Sequence, residues 1–88
     1  MSYGVTIARE AEKALDRMGR LTERRIRARL IQLAQDPFDP RLSAPLTDRP
    51  GVRKSRVGGW RVLFTIDRGE KLVFVATVDT RGQVYKRS

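Results

Sequence analysis

The stretch that decides the fold is Lys54-Ser55-Arg56-Val57-Gly58-Gly59-Trp60-Arg61. It reads as a strand, a two-residue turn and a second strand. Glycines supply the positive φ that primed hairpin turns need, so a loop at Gly58-Gly59 fixes the register. Val57 then faces Trp60, Arg56 faces Arg61 and Ser55 faces Val62. Side chains alternate along a strand. Lys54, Arg56 and Arg61 therefore share one face, with no acid among them on this reading. Val57, Trp60, Val62, Phe64 and Ile66 share the other face, the candidate core. Like charges directly opposite in a sheet are destabilising, and a fold tolerates them where an anion is to bind.

Working outward, 88 residues with 40% hydrophobic content suit a single domain, residues 1–88, with one packed core. Cysteine and histidine are both absent. The usual zinc sites and the Ser-His and Cys-His catalytic pairs are thereby excluded, and no metal site or cofactor is expected. No apolar run approaches the ~20 residues needed to span a bilayer. Met1-Ser2-Tyr3-Gly4 has no basic region leading into an apolar one, so no signal peptide is expected. A cytoplasmic protein without a membrane partner is the expectation. Net charge is +9, from 19 basic and 10 acidic residues. Most of the basic residues are arginines, whose forks match phosphate oxygens bidentately. That balance favours a polyanion partner, nucleic acid first and an acidic protein second.

Tyr3 to Ile7 alternates and predicts a first strand. Ala8, Ala11, Leu15 and Met18 recur at helical spacing and predict a short helix ending near Gly19. Thr22 is the candidate N-cap of a second helix running to about Gln35, with Glu23 in its first turn. Ile26, Leu30, Leu33 and Ala34 form its apolar face, and the two helices should form a hairpin. All four prolines, Pro37, Pro40, Pro45 and Pro50, fall in one connector. No regular element fits there, although Leu42 and Leu46 can anchor it to the core. After the Gly58-Gly59 hairpin, Asp67-Arg68-Gly69-Glu70 reads as a turn whose length leaves the next register open. Leu72 to Val78 is a nearly continuous apolar run, as in a central strand covered on much of both faces. The fold class is α+β. It is a small antiparallel-type sheet in the order β-α-α-β-β-β, with the N-terminal strand followed by a helical hairpin on one face.

This order, together with Lys54-Ser55-Arg56-Val57-Gly58-Gly59-Trp60-Arg61-Val62-Leu63-Phe64 and the closing Asp79-Thr80-Arg81-Gly82-Gln83-Val84-Tyr85, resembles the RelE/ParE toxin superfamily over essentially the whole chain. The first stretch is similar to its basic-x-basic-x-Gly-x-aromatic-Arg pattern, the second to its Arg-x-x-x-Tyr. The resemblance implies a RelE-like fold and the toxin of a bacterial type II toxin–antitoxin pair. RelE-like members cut messenger RNA on the ribosome without metal; ParE-like members inhibit DNA gyrase and generally lack those catalytic residues. The resemblance also implies a cognate antitoxin as partner, contact with mRNA and ribosomal RNA, and contact with operator DNA only through the antitoxin.

Metal-free RNA cleavage needs a base for the ribose 2′-OH, cations for the phosphorane and an acid for the leaving 5′-oxygen. Lys54 is the leading base, because lysine can lose its proton beside other cations. Arg56 and Arg61 would clamp the phosphate. Arg81 matches the family position that stabilises the transition state or leaving group. Tyr85 matches the tail tyrosine, with three roles open: orienting the 2′-OH, acting as base, or stacking on a nucleobase. Arg24, Arg25 and Arg29, with Arg53 and Lys86, are candidate RNA-backbone contacts. Structural readings stand beside these. Lys54 and Arg56 can simply face solvent, Arg61 can pair with Asp67, Asp79 or Glu70, Tyr85 can be a packing residue, and the helical arginines can be a solvated face. The expected activity is a metal-independent endoribonuclease acting at the ribosomal A site. The rivals are a gyrase inhibitor and a protein that only forms complexes with its antitoxin and operator DNA.

Overall fold

The chain runs β1 (Gly4–Ile7), α1 (Arg9–Arg17), α2 (Arg20–Gln35), β2 (Ala44–Pro45), β3 (Arg53–Val57), β4 (Trp60–Asp67) and β5 (Leu72–Thr80) in a computed structural model that describes residues 2–80. The central hairpin has the expected register, with Val57 opposite Trp60, Arg56 opposite Arg61 and Ser55 opposite Val62. Of the two turn glycines, only Gly58 takes a left-handed φ, 60°. That is the type II′ pattern, which requires glycine at the first turn position alone.

The five strands form one mixed sheet in the order β1-β5-β4-β3-β2. β1 pairs with β5 in parallel, Gly4 with Leu72 through Ile7 with Val75. The other pairings are antiparallel. The connector also holds a strand where none was expected: Ala44 and Pro45 pair with Lys54 and Arg53. Two residues suffice for this, and a proline is tolerated because an outer strand need not give every N–H to a ladder.

The open question of the β4–β5 register resolves into a four-residue turn and a bulge. Asp67 faces Leu72, Lys71 takes a φ of 55°, and the Asp67 Oδ1 accepts the Glu70 N–H at 3.0 Å. Further along, Phe64 pairs with Val75 but Leu63 pairs with Thr77, leaving Ala76 as the extra residue. An extra residue inverts the in–out alternation beyond it. Val73, Val75 and Val78 consequently all reach the helix side, where they are buried with Val57, Val62 and Phe64.

Ala11 and Leu15 of α1 and Ile26, Leu30 and Leu33 of α2 complete this core. Both helices thus cover the same sheet face. α2 starts earlier than the Thr22 cap would place it. Gly19 is the N-cap in an extended conformation, and its carbonyl accepts the Glu23 N–H at 2.9 Å. Met18 and Gly19 alone turn the chain, so Leu21 and Thr22 fall inside the first helical turn. Arg27 ties α2 to α1 through Glu12 at 2.9 Å and pairs within its own helix with Glu23 at 2.8 Å, and the Glu23 and Glu12 carboxylates raise its pKa. β5 is less enclosed than an apolar run suggests, since Phe74 points away from the helices and is 39% exposed.

Two arginines fasten the connector side of the sheet. In a two-residue hairpin the flanking pair, Val57 and Trp60, is hydrogen-bonded, so the Arg56 carbonyl faces away from β4. β2 reaches only Lys54 on that side. Arg29 of α2 takes the carbonyl instead: its Nη1 donates to Arg56 O at 2.8 Å and to the Ser55 hydroxyl at 2.9 Å. Arg53 donates to the Ser43 hydroxyl at 3.0 Å, and that hydroxyl donates to Pro37 O at 2.8 Å. The Arg53 and Arg68 guanidiniums lie 5.3 and 4.4 Å from the centroid of Phe38.

Candidate functional site

The alternation that buries Ser55, Val57, Val62 and Phe64 under the helices sends Lys54, Arg56 and Arg61 to the opposite side, which neither helix covers. Rigid neighbouring strands hold them, and the hairpin register sets their spacing. Arg56 and Arg61 are direct cross-strand partners, with Lys54 opposite Leu63. Arg56 is exposed and Lys54 half-buried, and neither makes a side-chain hydrogen bond or ion pair among the described residues. Thr65, Phe74 and Thr77 continue the face along β4 and β5.

The expectation that this face carries no acid is corrected by the structure. Asp79 of β5 lies directly opposite Arg61, and the Arg61 Nε donates to its Oδ1 at 2.9 Å. The side chains are 23% and 35% exposed, so the pair is partly shielded from water. Among the described residues, the face therefore offers two cations without a side-chain partner and one arginine already engaged. The sequence placed Asp79 among three acids within reach of Arg61. Only the Ala76 bulge selects it, and a bulge leaves little trace in an apolar run.

The other candidates divide into separate places. Arg24 and Arg25 are exposed on α2. Arg29 and Arg53 are directed inward to Ser55, Arg56 O and Ser43, on the side of the sheet facing the helices and connector. Arg81, Tyr85 and Lys86 lie outside the described residues. Arg29 and Ser55 together were not foreseen as a structural latch. A serine in the middle of a cationic strand was the available sign, because a buried hydroxyl (Ser55 is 1% exposed) needs a partner.

A second surface feature is an open groove of about 470 Å³ between β1 and α2, lined by Tyr3, Val5, Ile7, Leu30, Ile31 and Ala34 among others. It is mainly apolar and sits at the β1 edge, far along the sheet from the cationic hairpin.

The family model for the ParE toxin of the type II toxin–antitoxin system parDE matches residues 5–85. A search of the curated proteins finds no match. Among solved structures, the chain is similar to a chain of the RelBE2 toxin–antitoxin complex from Mycobacterium tuberculosis, at 25% identity and a TM-score of 0.77, covering 92% of this chain and 100% of that one. It is also similar to a chain of the archaeal RelE–RelB complex from Pyrococcus horikoshii, at 24% identity and a TM-score of 0.77, covering 94% and 99%. A mutant E. coli toxin RelE in complex with an antitoxin RelBc peptide superposes at a TM-score of 0.82 and 20% identity, covering 99% and 94%. The two matches below 25% identity speak to the fold alone.

Proposed function

The chain belongs to the ParE toxin family of the RelE/ParE superfamily, toxins of type II toxin–antitoxin systems, and within that superfamily we propose the RelE-like activity, a metal-independent endoribonuclease acting on mRNA at the ribosomal A site. The observation that carries this reading is the sheet face turned away from both helices, which presents Lys54, Arg56 and Arg61 from one hairpin. On such a face a single phosphodiester can meet several cations without any backbone rearrangement, and preorganised charge is usually the largest contribution to this kind of catalysis.

In the proposed reaction the ribose 2′-oxygen attacks the adjacent phosphorus. Its proton passes to the base, for which Lys54 is the first candidate and Tyr85 the second. Arg56 and Arg61 hold the phosphate oxygens as charge builds on the phosphorane. The bond to the 5′-oxygen breaks, and a general acid returns a proton to it, with Arg81 the candidate for stabilising the departing charge. The products are a 2′,3′-cyclic phosphate and a 5′-hydroxyl. Arg24 and Arg25 would touch ribosomal RNA backbone from the outside of α2. The similar chains from M. tuberculosis and P. horikoshii come from toxin–antitoxin complexes. An acidic antitoxin segment laid over the same face is the matching proposal here, with association slowing as salt rises.

Cleavage in the presence of excess EDTA, read by primer extension and end-group analysis, tests the reading. Cyclic-phosphate ends that persist on chelation support it. Products with 5′-phosphates, or activity that vanishes on chelation, sink it. A specific observation favours the second reading, a gyrase inhibitor without catalysis of its own: Asp79 neutralises Arg61 in the middle of the proposed site. A supercoiling assay beside the primer extension separates the two.

A further inference from the structure

We propose that Asp79 is a built-in competitor for Arg61, holding the edge of the guanidinium that a phosphodiester would take and so setting how tightly the open face binds RNA. The inference rests on the RNA reading above and adds the residue that tunes it.

Two observations carry it. The first is the contact itself, Arg61 Nε to Asp79 Oδ1 at 2.9 Å between cross-strand partners. Carboxylate and phosphate oxygens address the same N–H donors, so an incoming phosphate must displace Asp79 or share the fork with it. The second is how Asp79 gets there. With an unbroken register Val78 would face Arg61, and Asp79 would face Trp60 on the core side. The extra residue at Ala76 shifts both: Val78 pairs with Val62 and is buried, and Asp79 meets Arg61 on the open face. Bulges commonly re-aim a side chain next to a working site. Here one irregularity completes the core and delivers the only acid among the described residues that stands opposite a member of the cationic set.

The charge arithmetic gives the expected signature. Lys54, Arg56 and Arg61 with Asp79 amount to +2 on this patch, and removing the acid restores +3. If Arg61 then neutralises one more phosphate, log K should fall with log salt more steeply by about 0.7, and binding should tighten about fivefold near 0.1 M salt. The test is a salt titration of the full chain with a 2′-O-methyl RNA oligonucleotide, which cannot be cleaved by 2′-OH attack. Asp79→Asn should show both changes, and Asp79→Glu should bind like the parent. The double variant Arg61→Ala/Asp79→Asn should bind like Arg61→Ala alone. Asp79→Ser repeats the measurement if the amide variant fails to fold. Unchanged affinity and slope in a folded Asp79 variant overturn the proposal. So does a gain that survives without Arg61, which would be a bulk charge effect. If Lys54→Ala and Arg56→Ala also leave oligonucleotide binding untouched, the RNA reading falls with it; if they weaken binding, only the role of Asp79 is lost.

Discussion

Arg53 and Arg56 stand three residues apart on β3 and meet opposite fates. Arg53 turns toward the connector, donates to Ser43 and lies over Phe38. Arg56 turns outward beside Lys54 and Arg61, while its backbone carbonyl is taken from the other side by Arg29. Parity along one strand separates an arginine that builds the fold from one that is offered to a ligand. A net charge of +9 therefore overstates the charge available for binding. The useful fraction is the set that the pleat turns away from both helices and connector.

The outward side should respond in activity and not in stability. Lys54→Ala/Arg56→Ala is expected to lower cleavage and growth inhibition at least about a hundredfold, the scale for losing transition-state donors. Its urea midpoint should hardly move, since neither side chain has a partner among the described residues. A large drop in stability would erase the distinction between the two sides.

The inward side should do the reverse. Arg29→Ala leaves the buried Ser55 hydroxyl and the Arg56 carbonyl short of a donor, and urea unfolding should report a loss of about 2–3 kcal/mol. Arg29→Lys should recover part of it, because a single ammonium can still reach one of the two acceptors. Arg53→Ala should cost less, about 1–2 kcal/mol, through Ser43 and the Phe38 contact. Wild-type stability in Arg29→Ala would show that the latch is incidental.

Arg24→Ala and Arg25→Ala sharpen the comparison from the helix surface. Stability should stay within about 0.5 kcal/mol of the parent. If these residues touch RNA backbone, each should reduce the salt slope of binding by about 0.7. The smallest expected effect lies at the connector. Asp39 is held below the usual carboxylate range, first by the Arg41 side chain and then by the Arg41 backbone N–H. A lowered folded pKa stabilises the protein above the unfolded value, and that contribution disappears as pH falls through the folded one. Asp39→Asn should therefore lower stability slightly at neutral pH, flatten the acid limb of a stability–pH curve, and converge with the parent below the folded pKa.

What the residues revealed in advance follows the same division. The Gly58-Gly59 turn fixed the hairpin pairs, because a two-residue loop leaves one register. The helix periodicity identified Ala11, Leu15, Ile26, Leu30 and Leu33 as core, and they are buried. Long-range choices were not legible. The parallel pairing of β1 with β5 depends on where the chain returns after two helices and a connector. The β2 pair depends on tertiary proximity, since Ala44 and Pro45 carry little strand propensity. The bulge at Ala76 is silent in Leu72–Val78, where valine or alanine on either side looks equally apolar. That silence hid the Arg61–Asp79 pair, the one part of the candidate face that the sequence left as a choice among three acids.

The parallel pairing of Gly4–Ile7 with Leu72–Val75 also sets a clock. Among the described residues, the first strand has no sheet partner until β5 has been made. At ribosomal rates of ~5–20 residues per second, the delay is on the order of several seconds. Contacts of such long sequence separation also form late in folding. Throughout that interval the helices can form, but the sheet cannot close, and Asp79 has not yet reached Arg61. A product of interrupted translation that stops short of Leu72 would carry the whole basic hairpin and still lack the frame that aims it. Toxicity, on this view, arrives only once β5 has joined the sheet.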